Sequence, residues 1–244
     1  MAGSVPFEVG GYVLAGGRSS RMGRDKALIR LAGIPLIEHA VKKLRRVCKS
    51  VCVLSSNPEL EQYAPLVRDL HPDCGPIGGM EAALAHSLYD WNVFLAVDMP
   101  FLPTAYIRMW TETWMQPEME RALGPGIRML SIEGRAQPGF CLLHKEVGPL
   151  LAESIERREF KLMNAFEAAG RELGARHASP LTGLWNVPAT GFEGPADVQD
   201  GGATDDWRRI TKTQRAAQAL WFANLNTPKD FAEAEAHLDA LDTQ

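Results

Sequence analysis

The sequence has no long apolar run, no excess of positive charge and no CxxC pair of cysteines. No stretch approaches the roughly 18 apolar residues of a membrane span, so we expect no membrane segment. A formal net charge of −4 argues against a broadly basic surface for nucleic acid. The N-terminus carries neither a basic segment nor a long apolar one, so we expect no signal peptide and a cytoplasmic protein.

Cysteine is scarce, and its spacing fits neither a zinc site nor a disulfide framework. The four cysteines form no CxxC pair and lie far from most of the six histidines. They are Cys48, Cys52, Cys74 and Cys141. We predict small buried thiols in a protein of a reducing compartment.

What remains is ordinary globular composition with an alternating pattern of strands and helices. Of 244 residues, 45% are hydrophobic and 23% charged, which excludes general disorder. Continuous apolar runs at Tyr12–Ala15, Val51–Leu54 and Asn92–Val97 are typical of strands covered on both faces. Segments of helical period separate them, for example Pro35–Cys48. The order predicts an α/β, Rossmann-like, doubly wound and mostly parallel sheet.

On the helical segment Pro35–Cys48, the basic side chains fall on the face opposite the apolar ones, so we expect them to point into solvent. They are Lys42, Lys43, Arg45 and Arg46.

The C-terminal quarter breaks this alternation. Residues 191–212 are polar and rich in Gly and Asp, which favours a surface insertion or mobile loop. We predict a strand near Ala219–Asn224 and a helix over Pro228–Leu241 after it. These elements are too few for a second core, so residues 1–244 are predicted to form one domain.

The turn after the first predicted strand carries the strongest chemical signal. It reads LAGGRSSRMGRDK over residues 14–26, and glycines in such a turn let backbone N–H groups crowd against phosphate oxygens. It is neither a Walker A loop nor a GxGxxG motif. Arg18, Arg21 and Lys26 could neutralise a triphosphate. A solvated loop with exposed cations is the alternative.

Four ordered motifs give the chain a family resemblance. They are residues 14–39, LAGGRSSRMGRDKALIRLAGIPLIEH; residues 74–79, CGPIGG; residues 97–102, VDMPFL; and residues 224–230, NLNTPKD. Together they resemble the nucleotidyltransferases of molybdenum-cofactor biosynthesis, and the LAGG form resembles the guanylyltransferases among them. The resemblance implies a nucleotide-diphospho-sugar-transferase-like fold and spans nearly the whole chain.

Asp98 is the principal candidate for a metal-binding residue. It follows a buried strand at the carboxyl edge, where open α/β sheets bind ligands. A carboxylate there can hold Mg²⁺, and the resemblance assigns this position to the metal that bridges nucleotide phosphates. A turn-forming aspartate before Met99-Pro100 is the alternative.

The resemblance also implies a set of nucleotide contacts. Lys26 and Arg21 would meet the phosphates, although a solvated lysine is the simpler reading of Lys26. Asp69 would accept hydrogen bonds from guanine, and Ser55 would lie near the base or ribose. A surface charge and a strand-end turn are the alternatives for these two. Backbone contacts to the nucleotide are expected from Leu14, Ala15, Gly16 and Gly17.

Two further segments are expected at the same site. Gly78, in the second glycine turn, lies at a helix start that suits an anion or ribose, or makes only a tight connection. Asn224 and Asn226, two apart on an extended segment, should point to one side. Their amides could bind a pterin edge or a metal-bound water. A helix cap is the alternative, and it fits Thr227 better than either asparagine.

The implied reaction is transfer of GMP from GTP to molybdopterin, with or without bound molybdenum or tungsten, and release of pyrophosphate. Mg²⁺ is the implied cofactor, and molybdoenzymes or cofactor-delivery proteins are conceivable partners. Two rivals stay open: a cytidylyl or sugar-phosphate nucleotidyltransferase, and a non-catalytic carrier of nucleotide or cofactor. The presence of both Lys26 and Asp98 argues against a carrier.

Overall fold

The apolar runs of the sequence form the centre of a seven-stranded sheet in a computed structural model of the chain. The structure describes residues 7–16, 25–116, 121–132, 134–177, 183–188 and 208–242. The strands in these ranges are β1 (Phe7–Leu14), β2 (Arg30–Leu31), β3 (Ile34–Pro35), β4 (Cys48–Leu54), β5 (Leu66–Val67), β6 (Trp91–Ala96), β7 (Gly126–Ile132), β8 (Arg135–His144) and β9 (Gly183–Pro188). The α-helices are α1 (Leu36–Arg45), α2 (Pro76–His86), α3 (Thr104–Trp114), α4 (Val147–Glu156), α5 (Leu162–Arg176), α6 (Lys212–Ala216) and α7 (Pro228–Glu235).

The sheet is mixed, with a parallel half that carries the glycine turn. Its order is β5-β4-β1-β6-β8-β7-β9. Strands β5, β4, β1 and β6 run parallel to one another, and β7 is parallel to β9. Strand β8 is antiparallel to both β6 and β7. The predicted α/β class with a doubly wound, mostly parallel sheet is therefore confirmed.

Helices cover both faces of the sheet, which explains the continuous apolar runs. In β6, Val93 and Leu95 pack with α1 and α3 on one face, whereas Phe94 packs with α2, α4 and α5 on the other. Successive strand residues point to opposite faces, so both sets must be apolar when both faces are covered.

Helix α1 corrects one expectation about charge. It begins directly after Pro35 and ends at Arg45, close to the predicted segment. Lys42, Arg45 and Arg46 are exposed, but Lys43 is only 2% exposed and does not face solvent. Its ammonium forms an ion pair with Asp242, so a distant carboxylate supports a burial that helical spacing alone does not predict.

The predicted strand near Ala219–Asn224 is wrong. A 3₁₀ helix occupies Gln218–Leu220 and a turn follows it. Trp221 is 1% exposed because it packs onto the sheet's α3 face rather than joining a ladder. The predicted helix over Pro228–Leu241 is divided, with α7 followed by a 3₁₀ turn at Leu238–Ala240.

The polar segment 191–212 lies outside the described residues as far as position 207. Among its described residues, Ile210 is 1% exposed, and Thr211 caps α6 through a capping box that includes Gln214. Ile210 thus belongs to the folded C-terminal segment, and a surface insertion or mobile loop over the rest of 191–212 stays a prediction.

All four cysteines are free and buried, which confirms the thiol prediction. Burial raises the pKa of Cys48 and of Cys141 well above the ordinary thiol value. Among the helices that the structure describes, none has the length and apolar character needed to cross a membrane.

Gly10 should resist substitution because β1 packs closely against the neighbouring strand β6. A Cβ on Gly10 would lie 2.5 Å from Oδ1 of the fully buried Asn92. Asn92 cannot withdraw freely, since its side chain bonds to Ser87 and to the Tyr89 carbonyl. We expect Gly10→Ala to lower the free energy of unfolding by about 1–3 kcal/mol in denaturant titration. Ser50→Ala, at the exposed position opposite Gly10 on β4, is the control, and an equal effect of both would contradict this reading.

Candidate active site

The candidate site lies where three neighbouring parallel strands end. Strand β1 lies between β4 and β6, and all three finish at the same edge. The ladder extends slightly further, since Ala15 N–H donates to the Leu54 carbonyl at 3.2 Å and Val97 N–H donates to the Leu14 carbonyl at 3.1 Å. The start of the glycine turn and Asp98 are therefore brought to one place by strand pairing, as the sequence predicts.

Lys26 joins Asp98 and Asn226 at this edge. Its Nζ lies 2.5 Å from Oδ2 of Asp98 and donates to Oδ1 of Asn226 at 2.6 Å. The side chains of Lys26 and Asp98 are 16% and 17% exposed. Asp98 and Asn226 follow Lys26 by 72 and 200 positions in the sequence, yet both lie against its ammonium group. Lys26 is not a solvated surface lysine, and Asp98 is more than a turn residue.

Asp25 fixes the position of Lys26, a role that the sequence analysis missed. Its Oδ1 accepts a hydrogen bond from Ala27 N–H at 2.9 Å and so caps the 3₁₀ turn Lys26–Leu28. Its Oδ2 accepts from the Asn57 side chain at 2.5 Å. Asp25 thereby ties the end of the glycine turn to the loop after β4. The signal in the sequence is an aspartate one residue before a short helical turn.

Asn226 is held by the start of α7 and by the backbone of Asp98. Asp230 Oδ2 accepts a hydrogen bond from Asn226 N–H at 2.7 Å. Leu225 N–H donates to the Asp98 carbonyl at 3.0 Å. Thr227 caps α7 and neither asparagine does so, which agrees with the alternative that the sequence left open for this turn.

The two asparagines have different roles. The amide of Asn226 reaches Lys26, whereas Asn224 accepts from the Asn226 amide through its backbone carbonyl at 3.3 Å and is exposed. Of the pair, Asn226 is the one that the structure brings to Lys26.

Asp69 lies across the glycine-rich start of α2. A Cβ on Gly79 would meet Asp69 Oδ1 at 3.4 Å, and one on Gly78 would meet Asp69 Cγ at 3.7 Å and the His71 carbonyl at 3.0 Å. The glycines therefore give room for the Asp69 loop to approach the helix. Loss of hydration against α2 raises the pKa of the Asp69 carboxyl.

Ser55 has a local structural role. Its hydroxyl accepts a hydrogen bond from Asn57 N–H at 3.1 Å, and the residue is 6% exposed. This is the strand-end turn that the sequence left open as an alternative. It shapes the loop from which Asn57 reaches Asp25, and a nucleotide contact of Ser55 stays a prediction. Gly17 and Arg21, like Arg18, lie outside the described residues.

The oxygen atoms at the Lys26 site suit a hard divalent cation. Asp98 and Asn226 present one carboxylate and one amide oxygen to a single positive charge, and both are ligand types that Mg²⁺ accepts. Within the described part of the chain, no group of three or more His, Cys, Asp or Glu side chains could hold a metal. Two oxygen donors are compatible with a magnesium ion, which typically takes only one or two ligands from a protein and keeps several waters.

Solved structures with this fold are nucleotidyltransferases and related biosynthetic proteins. The molybdopterin-guanine dinucleotide biosynthesis protein A of Archaeoglobus fulgidus aligns with 96% of this chain and 100% of its own, at a TM-score of 0.67 and 21% identity. The 2-C-methyl-D-erythritol 4-phosphate cytidylyltransferase of Thermus thermophilus gives a TM-score of 0.54 at 15% identity, over 96% of this chain and 100% of its own. At these identities, the comparison establishes the nucleotidyltransferase type of fold.

Sequence comparison then defines the family. Residues 11–172 match the model of the MobA-like NTP transferase domain. The molybdenum cofactor guanylyltransferase of Serratia proteamaculans is 38% identical over 170 residues, 67% of this chain and 81% of that protein. The protein of the same name from Yersinia pestis strain Pestoides F is 33% identical over 225 residues, 90% and 91% of the two chains. The chain belongs to the MobA-like NTP transferase domain family.

Removing the Asp25 carboxylate should loosen the end of the glycine turn. Asp25→Ala deletes both the cap on Ala27 and the bond to Asn57, and we expect a loss of about 0.5–2 kcal/mol in the free energy of unfolding. Amide hydrogen exchange at residues 26–29 should accelerate. Glu61→Ala, at a nearby exposed carboxylate, should change neither quantity. Unaltered exchange in the Asp25 variant would show that the turn is held by other contacts.

Proposed function

We propose that the protein transfers GMP from GTP to the terminal phosphate of molybdopterin, either metal-free or loaded with molybdenum or tungsten, and releases pyrophosphate. The observation that carries this proposal is the convergence of Lys26, Asp98 and Asn226 beside the glycine turn at the sheet edge. The relatives named molybdenum cofactor guanylyltransferase support the choice of substrates.

The reaction needs positioning and charge neutralisation rather than a general base. The attacking phosphate of molybdopterin is already an anion, so no proton has to be removed from it. Attack on the α-phosphorus of GTP forms the new P–O bond while the bond to pyrophosphate breaks. Lys26 and the backbone N–H group of Gly16 can stabilise the negative charge that moves onto the phosphate oxygens.

Asp98 and Asn226 would hold Mg²⁺, which would supply further positive charge to the triphosphate. The Lys26 ammonium lies against both of these oxygens and neutralises the Asp98 carboxylate. A bound triphosphate would offer Lys26 an alternative anionic partner, which would leave the Asp98 and Asn226 oxygens available to Mg²⁺.

Base selection is assigned to Asp69. A guanine presents two adjacent donors, N1–H and N2–H₂, which a carboxylate can accept together. Asp69 stands on the side of the sheet edge where α2 begins, and Gly78 and Gly79 leave space around its carboxylate. A cytosine offers no matching pair of donors, so Asp69 favours GTP over CTP.

Pyrophosphate release tests the proposal against its rivals. Purified protein with GTP, Mg²⁺ and molybdopterin should release pyrophosphate. Replacing GTP with CTP, or molybdopterin with a sugar phosphate, should not support turnover. Binding of GTP without pyrophosphate release would favour a carrier. The recipient enzymes, delivery partners and cytoplasmic location stay predictions.

Asp98→Ala should abolish most turnover. It removes the carboxylate that pairs with Lys26, and we expect kcat to fall by about a hundredfold or more at saturating Mg²⁺. Asp90→Ala is the matched control, because Asp90 precedes the other end of β6 and pairs with the exposed Lys145. Near-normal pyrophosphate release by the Asp98 variant would refute the assignment.

Asp69→Asn should weaken discrimination between nucleotides. The amide supplies one acceptor and one donor in place of two acceptors, so one guanine donor loses its partner. We expect the KM for GTP to rise by about tenfold or more, with a smaller change in kcat. Asp73→Asn, an exposed aspartate of the same loop with positive φ, is the control because asparagine also tolerates that backbone conformation. Equal KM values in the two variants would remove Asp69 from base recognition.

A further inference from the structure

The C-terminal end of the described chain caps the helix that follows Asp98. Asp242 Oδ2 accepts hydrogen bonds from the backbone N–H of Thr104 at 2.8 Å and from its hydroxyl at 2.6 Å. Thr104 is the first residue of α3, and Pro103 before it provides no side-chain cap. A carboxylate at this position satisfies a free helix N–H and faces the positive end of the helix dipole. Asp242 therefore replaces a local cap from 138 positions away.

The same carboxylate is linked to two other elements. Lys43 of α1 donates to Asp242 Oδ2 at 3.0 Å and to the Leu102 carbonyl at 2.6 Å. Gln214 of α6 donates to Asp242 Oδ1 at 2.7 Å. The Lys43 and Asp242 side chains are 3% and 15% exposed. Burial acts to raise the pKa of Asp242, but Lys43 and the bonds from Thr104 outweigh it and hold that pKa below its ordinary value.

These contacts fix the far end of the segment that carries Asp98. Residues 97–103 connect β6 to α3, and the Asp98 carbonyl is held by Leu225 N–H at their near end. Met99, Phe101 and Leu102 are each at most 2% exposed. A short connection packed in this way transmits a displacement from one end to the other, because a close-packed interior has little free volume to absorb it.

We propose that Asp242 is a positioning residue for nucleotidyl transfer, because it holds α1, α3 and α6 together and so fixes the Asp98 carboxylate relative to Lys26 and Asn226. The inference rests on the proposed function, which takes Asp98 as the residue that meets metal and phosphates. It assigns a catalytic consequence to a residue 70 positions beyond the end of the family match at 172. Asp242 itself touches neither substrate nor metal.

The test compares Asp242→Asn with Asp239→Asn, a neighbouring exposed carboxylate. We expect amide hydrogen exchange in the Asp242 variant to be faster across residues 97–104 and unchanged in β4. Its kcat should fall by about tenfold, and the Mg²⁺ concentration for half-maximal turnover should rise. The KM for GTP should stay within about twofold, because a displaced Asp98 affects the transition state more than ground-state nucleotide binding. Asp239→Asn should leave all four quantities unchanged.

Thr104→Val keeps the test decisive if Asp242→Asn does not fold. It deletes the hydroxyl bond to Asp242 without stranding the Lys43 charge, and it should change the same quantities in the same direction, by less. Unchanged kcat and Mg²⁺ dependence in a folded variant, or a KM for GTP that rises in step with a loss of stability, would overturn the positioning role. A wild-type protein that releases no pyrophosphate would instead defeat the proposed function, while faster exchange at residues 97–104 would still support the structural link.

Discussion

The ion pair between Lys26 and Asp98 is the interaction on which the candidate site depends. Each residue is less than one-fifth exposed, and an ion pair so far removed from water is useful only when its geometry is well supported. Much of the surrounding structure provides this support. Asp25 holds the Lys26 turn, Leu225 holds the Asp98 backbone, and Asn226 satisfies a further donor of the ammonium group.

Strand order makes this arrangement possible. In a parallel sheet, the carboxyl ends of neighbouring strands meet, so the turn after β1 and the loop after β6 must be adjacent once these strands pair. The sequence therefore predicts the fold class and the position of Asp98 at the carboxyl edge of the sheet, but not the direct contact of Lys26 with Asp98. Apolar runs and short motifs carry that information locally, and the pairing rules of parallel sheets supply the rest.

The parts that escaped prediction all depend on contacts between distant segments. Helical spacing places Lys43 among outward basic residues, and only the fold reveals that Asp242 meets it. The apolar residues near Trp221 have strand-like composition. They form turns that pack against one face of the sheet instead of pairing with a strand. Asp25 was visible beside Lys26, yet its bond to Asn57 joins two loops that no local pattern relates.

The C-terminal segment illustrates why a site can extend beyond its most recognisable motifs. The family match ends at residue 172, whereas Asn226 and Asp242 lie well beyond it and reach the loop or helix adjoining Asp98. Asn226 supplies a polar group to the ion pair of Lys26 and Asp98, and Asp242 holds α3, the helix that follows Asp98. A chain that kept the glycine turn and Asp98 but lost this segment would leave Lys43 buried without its carboxylate and α3 without its cap. The C-terminal segment is therefore part of the site's architecture, because the charges at the sheet edge need supports that the strands alone do not provide.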